Sequence, residues 1–84
     1  MNKKQARVLS AIFDEPVGAN IDWRDVESLL IALGAELTQG RGSRVRVALN
    51  GIRALFHEPH PEKDISKGMV RALRDFLTSA GVLP

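Results

Sequence analysis

Between residues 37 and 57 stand Arg41, Arg44, Arg46, Arg53 and His57 with no carboxylate among them, and His60 follows shortly after. A guanidinium is a permanent cation whose planar fork matches phosphate oxygens two at a time. An imidazole gains and loses a proton near neutral pH. Such a set suits a polyanion held beside a group that can move a proton. The plainer alternative is that the arginines only solvate the outer face of a sheet. If the chain has an active or binding surface, these residues mark it.

The elements that must position them follow from local pattern. Residues 44–49 and 52–57 alternate polar and apolar with a period of two, as half-buried strands do. Asn50-Gly51 between them suits a type I′ turn, whose central residues both need φ > 0. That turn sets the register. Leu49 then faces Ile52, Val47 faces Ala54 and Val45 faces Phe56, forming an apolar core face. The other face pairs Ala48 with Arg53, Arg46 with Leu55 and Arg44 with His57. One side of the ribbon is therefore cationic, with a histidine at its end.

The whole chain has 84 residues and a formal charge of only +2, so the distribution says more than the total. Residues 1–36 carry four basic and six acidic side chains, residues 37–57 carry four arginines, and residues 58–84 carry four of each sign. The excess positive charge sits on the ribbon, as a polyanion-binding surface requires. There is no cysteine, which excludes disulfides and thiolate metal sites and is compatible with a reducing cytoplasm. No apolar run reaches the length of a membrane span, and the charged N-terminus lacks the apolar segment of a signal peptide. A soluble, cytoplasmic single domain is the expectation.

The remaining elements read in order. Residues 3–13 predict a helix, with Ala6, Leu9, Ile12 and Phe13 as its apolar stripe and Lys3, Lys4 and Arg7 outside it. Asp14-Glu15-Pro16 ends it, and residues 17–21 form a connector. Asp22 suits the N-cap of a second helix whose stripe is Val26, Leu29, Leu30 and Leu33, with Gly34 just past its end. Trp23 is expected to pack at its start, with base stacking as the minor alternative. Asp22, Asp25 and Glu27 read as solvated helix charges. Residues 35–39 alternate as a first strand, and Gly40-Arg41-Gly42 turns into the ribbon. It lacks the length and the lysine of a nucleotide-phosphate loop. Residues 58–65 form a loop punctuated by Pro59 and Pro61. Ser66 caps a last helix with Met69, Val70, Leu73, Phe76, Leu77 and Ala80 on one stripe, while Lys67, Arg71, Arg74 and Asp75 lie off it. The fold class expected is α+β, a three-stranded antiparallel sheet packed by helices on one face, in the order α-α-β-β-β-α.

A helix, three antiparallel strands and a final helix is the order of double-stranded RNA-binding domains. Residues 22–83 resemble more narrowly the HicA family of bacterial toxins. The resemblance lies in Leu30-Ile31-Ala32-Leu33-Gly34-Ala35, in Gly42-Ser43 opening a strand, and in a second strand running to His60-Pro61. A Ser66-Lys67-Gly68-Met69-Val70 segment and Ala80-Gly81-Val82 complete it. On this resemblance residues 22–84 form the core and residues 1–21 an N-terminal helical extension of one domain.

The resemblance implies a toxin of a type II toxin–antitoxin system, a small endoribonuclease that cleaves mRNA and slows translation. It implies a HicB-type antitoxin as partner and no cofactor. In that family a catalytic histidine follows Gly-Ser directly, and here the position holds Arg44. An arginine is no general base near neutral pH, but it can stabilise charge on a phosphorane-like transition state. The reading that follows gives Arg44 that role and moves the base across the ribbon to His57. His60 matches the family's His-Pro position, as a proton donor, an RNA contact or a loop-packing residue. Ser43 can hydrogen-bond a phosphate or cap the turn, with the turn favoured, and Arg41, Arg46 and Arg53 are candidate RNA contacts. A metal role for the His57 and His60 pair is weaker still, because nothing nearby completes a plausible ligand set, and no metal is expected. Two further hypotheses stand beside it: a non-catalytic RNA- or partner-binding module, and an interaction domain whose outer sheet face docks an acidic protein.

Overall fold

Three apolar stripes and one amphipathic ribbon leave few ways to bury their faces together. The computed structural model describes residues 1–18 and 20–84; residue 19, in the expected connector, lies outside the described residues. The elements are α1 (Lys3–Phe13), α2 (Trp23–Ala32), β1 (Glu36–Gln39), β2 (Arg44–Leu49), β3 (Ile52–His57) and α3 (Lys67–Ser79). The sheet is antiparallel in the order β1-β2-β3. This is the α+β architecture the patterns predict.

The hairpin has the expected register at every pair from Leu49–Ile52 to Arg44–His57. Asn50 and Gly51 both have positive φ, 51° and 81°, as the I′ geometry demands. Asn50 also donates from Nδ2 to the Ala80 carbonyl at 2.8 Å, tying the turn to the end of α3.

Val45, Val47, Leu49 and Phe56 are buried on the inner face. α2 packs there against β1 and α3 against β3. Phe56 and Phe76 meet edge to face with centroids 5.8 Å apart, a favoured aromatic geometry. Among the described residues no helix covers the outer face. Its residues Arg44, Arg46, Arg53, Leu55 and His57 are exposed, so the expected open cationic face exists.

α1 forms a further layer, lying on α2 and α3. Leu9 and Ile12 enter the common core, whereas Ala6, expected on the stripe, is exposed. A capping box starts the helix: Gln5 N–H donates to Asn2 Oδ1, and Asn2 N–H to Gln5 Oε1, both at 2.8 Å. Two polar ties hold it to α2, Gln5 Nε2 to Ser28 Oγ at 2.9 Å and Lys4 to Asp25 at 3.2 Å. Arg74, which the sequence places off the apolar stripe of α3, is a clamp. Its guanidinium donates to the Ile12 carbonyl at 3.0 Å and the Asp14 carbonyl at 2.8 Å, and pairs with Glu15. It thereby satisfies carbonyls left open at the end of α1.

Candidate active site on the open face of the sheet

The geometry of the site starts at the hairpin turn. A two-residue loop makes Leu49–Ile52 the first hydrogen-bonded pair, and pair type alternates from there. Ala48–Arg53, Arg46–Leu55 and Arg44–His57 are then non-hydrogen-bonded pairs. The bond from Glu58 N–H to the Ser43 carbonyl, 2.7 Å, fits that alternation. In such pairs the Cα atoms approach to about 4.5 Å and the side chains lie closest. Arg44 and His57 therefore leave the open face as immediate neighbours.

The turn before β2 is braced beneath Arg44. Gly40 N–H donates to the Arg44 carbonyl at 2.7 Å. A Cβ on Gly40 would meet Arg44 Cβ at 3.3 Å and its carbonyl oxygen at 3.4 Å, so a larger residue would have to push the strand back by a few tenths of an ångström. Gln39 Nε2 donates to the carbonyls of Gly42 and Arg44, at 3.2 and 3.3 Å. Sequence reading missed Gln39; its place just ahead of Gly40-Arg41-Gly42 was the available signal. Arg41 and Ser43 are exposed on this turn. The Ser43 hydroxyl makes no hydrogen bond among the described residues, so the favoured turn cap is absent; its carbonyl does the bracing instead.

His60 arrives from a loop pinned at its far end. Trp23 N–H donates to the Lys63 carbonyl and Ile65 N–H to the Ile21 carbonyl, each at 2.9 Å, around an antiparallel bridge between Asp22 and Asp64. Ile65 is buried below it. His57 and His60 line one depression of about 480 Å³, together with Glu58, Ser66 and Met69. The three candidate catalytic residues thus gather at one end of the ribbon. Trp23 is buried in the core and is not available for base stacking.

The arginines of this face have no ion-pair partner among the described residues. Among the described residues the ion pairs are Lys4–Asp25 and Arg74–Glu15, and neither involves Arg41, Arg44, Arg46 or Arg53. Among the described residues no group of three or more His, Asp or Glu is arranged to hold a metal ion.

Glu27 departs from its reading as a solvated charge. It is half-buried, and burial pushes its carboxyl above the usual range, helped by the Glu58 carboxylate and opposed by Arg24. A carboxyl whose folded pKa is raised costs stability once the pH has risen through that value. Below the ordinary glutamate range both states are protonated and the cost vanishes. Glu27→Gln is therefore expected to stabilise the fold at neutral pH, with the gain disappearing at about pH 4. Urea denaturation of both proteins at the two pH values measures it; an equal gain at both would mean that the charge is not its source.

Residues 23–82 match the family model described as the HicA toxin of bacterial toxin–antitoxin systems. The chain belongs to the HicA toxin family. The match opens on the first residue of α2 and closes just past α3, so it contains the whole sheet and every candidate site residue. α1 precedes it. Membership of a toxin–antitoxin system implies an antitoxin as partner of this chain. No curated protein and no solved structure matches the chain. Among the described residues no helix is long and apolar enough to cross a membrane.

Proposed function

We propose that this HicA toxin is an endoribonuclease that cleaves mRNA in the cytoplasm, slows translation and is masked by a HicB-type antitoxin. The observation that carries the reading is the direct pairing of exposed Arg44 with exposed His57, with His60 on the same depression as His57. His57 takes the proton of a ribose 2′-hydroxyl. The freed oxygen attacks the adjacent phosphorus, and Arg44 donates to the non-bridging oxygens as charge builds on them. His60, protonated, gives its proton to the departing 5′ oxygen. The P–O5′ bond breaks, leaving a 2′,3′-cyclic phosphate and a 5′-hydroxyl. Arg41, Ser43, Arg46 and Arg53 contact the flanking RNA, and no cofactor enters this scheme.

Arg44 in the place of the family's histidine favours one other reading, a binding module that has lost its chemistry. Overexpression separates the two. The ribonuclease reading expects growth arrest that co-expression of the antitoxin relieves, and purified protein that cuts RNA in the presence of a chelator. Salt-dependent RNA binding with no cutting at high protein concentration would support the module.

A further inference from the structure

The open face has a second feature beyond the catalytic end. A shallow depression of about 490 Å³ lies over the middle of the sheet, lined by Glu36, Thr38, Arg46, Ala48, Arg53 and Leu55 among others. Its floor is Ala48, with the smallest side chain that the strands place on this face. Cross-strand register sets Glu36 on one side of Ala48 and Arg53 on the other. Glu36–Ala48 is the wider pair type and Ala48–Arg53 the narrower, so the two flanking Cα atoms stand about 10 Å apart. No ion pair joins Glu36 to Arg53. Leu55, about half exposed at 49%, adds an apolar wall next to Arg53, and Arg46 stands beside the floor.

A carboxylate presents two adjacent acceptors and a guanidinium two adjacent donors. A flat molecule seated between them needs two adjacent donors on one edge and two adjacent acceptors on another. Guanine has both: N1–H and the N2 amine on one edge, O6 and N7 on the other, the latter being a recurrent partner of arginine. Uracil and adenine each present an acceptor where the Glu36 carboxylate needs a donor. Arg46 can stack on the ring, as guanidinium planes do on unpaired bases.

We propose that the depression over Ala48 is a nucleobase subsite that takes an unpaired guanine of an RNA strand. Glu36 and Arg53 read the base, and the strand continues past Arg46 toward Arg44 and His57. The subsite makes the preferred substrate single-stranded and guanine-containing. It rests on the ribonuclease reading above, so the test separates binding from cutting.

Fluorescence anisotropy with 2′-O-methyl oligonucleotides, which lack the attacking hydroxyl, measures binding alone. UUUGUUU is expected to bind about tenfold or more tighter than UUUUUUU or UUUAUUU. Glu36→Gln is expected to bring the ratio of G to U affinity close to one, and Ala48→Leu, which fills the floor, to do the same while the melting temperature stays near that of the parent. Affinities equal within twofold, or a guanine preference that survives Glu36→Gln, overturn the proposal. Free guanosine monophosphate competing as well as the oligonucleotide would reassign the subsite to a nucleotide and overturn its assignment to RNA. Loss of antitoxin binding in Ala48→Leu, with no base preference in the parent, would make the face a protein-docking surface and also overturn it. Unmethylated UUUGUUU tests the underlying reading separately: base preference without cutting sinks the ribonuclease and leaves the subsite, and cutting without preference does the reverse.

Discussion

His57→Ala is expected to slow RNA cleavage by about 10²–10⁴-fold, the range a positioned general base supplies. Folding is expected to be little affected, because the imidazole is exposed at the end of an edge strand. The pH–rate profile carries the decisive information. Loss of the base removes the ascending limb, whereas Arg44→Ala lowers the whole profile and keeps its shape, by about 10²–10³-fold if its donors act on the transition state. Arg44→Lys is expected to recover only part of that loss, since an ammonium keeps the charge without the two-pronged fork. An unchanged rate in His57→Ala together with a collapsed rate in His60→Ala would move the base to the loop. Full activity in both would end the proposed acid–base chemistry.

Ile12→Ala is expected to cost about 2–5 kcal/mol, as deletion of a fully buried aliphatic side chain does. Ile12 is completely buried although α1 lies outside the residues that match the family. For a domain whose total stability is about 5–15 kcal/mol, such a loss is a large share. Arg7→Ala, on the exposed side of the same helix, is expected to stay within about 0.5 kcal/mol. Urea denaturation followed by both Trp23 fluorescence and far-UV circular dichroism tests the point. Trp23 sits in the core at the start of α2, so coincident, equally shifted transitions mean that α1 belongs to one cooperative unit. A shift confined to part of the helical signal would mean a helix that frays alone.

The hairpin and its consequence for the site were legible before any coordinates. Asn50-Gly51 fixes the turn, the turn fixes the register, and a period of two assigns each side chain to a face. Hence Arg44 lands opposite His57, and the arginines land on the open side. Helix boundaries were legible for a similar local reason, since Asp22 and Ser66 satisfy N–H groups only a few residues away. All of these depend on contacts that begin and end within one element or one turn.

Other features had no local signature. Arg74 looks like any exposed helix charge until α1 is laid against α3 and its open carbonyls fall within reach. Glu27 has its carboxyl pushed up only once the assembled fold buries it and brings the Glu58 carboxylate toward α2. His57 and His60 share a depression because the loop is pinned through Lys63 and Ile65 to residues some forty positions earlier. Glu36 and Arg53 flank Ala48 only once β1 pairs with β2, which no turn between them dictates as tightly as Asn50-Gly51 does.

The amino-acid order alone therefore determined the elements, the register of the β2–β3 hairpin and which side of the ribbon is cationic. Those follow from the geometry of a repeating backbone and from side chains that serve their own neighbours. The assembled fold decided which elements cover one another, which charges are clamped or crowded, and how distant loops meet at the site. Those outcomes depend on distances between segments far apart along the chain, and a periodic pattern carries no information about such distances.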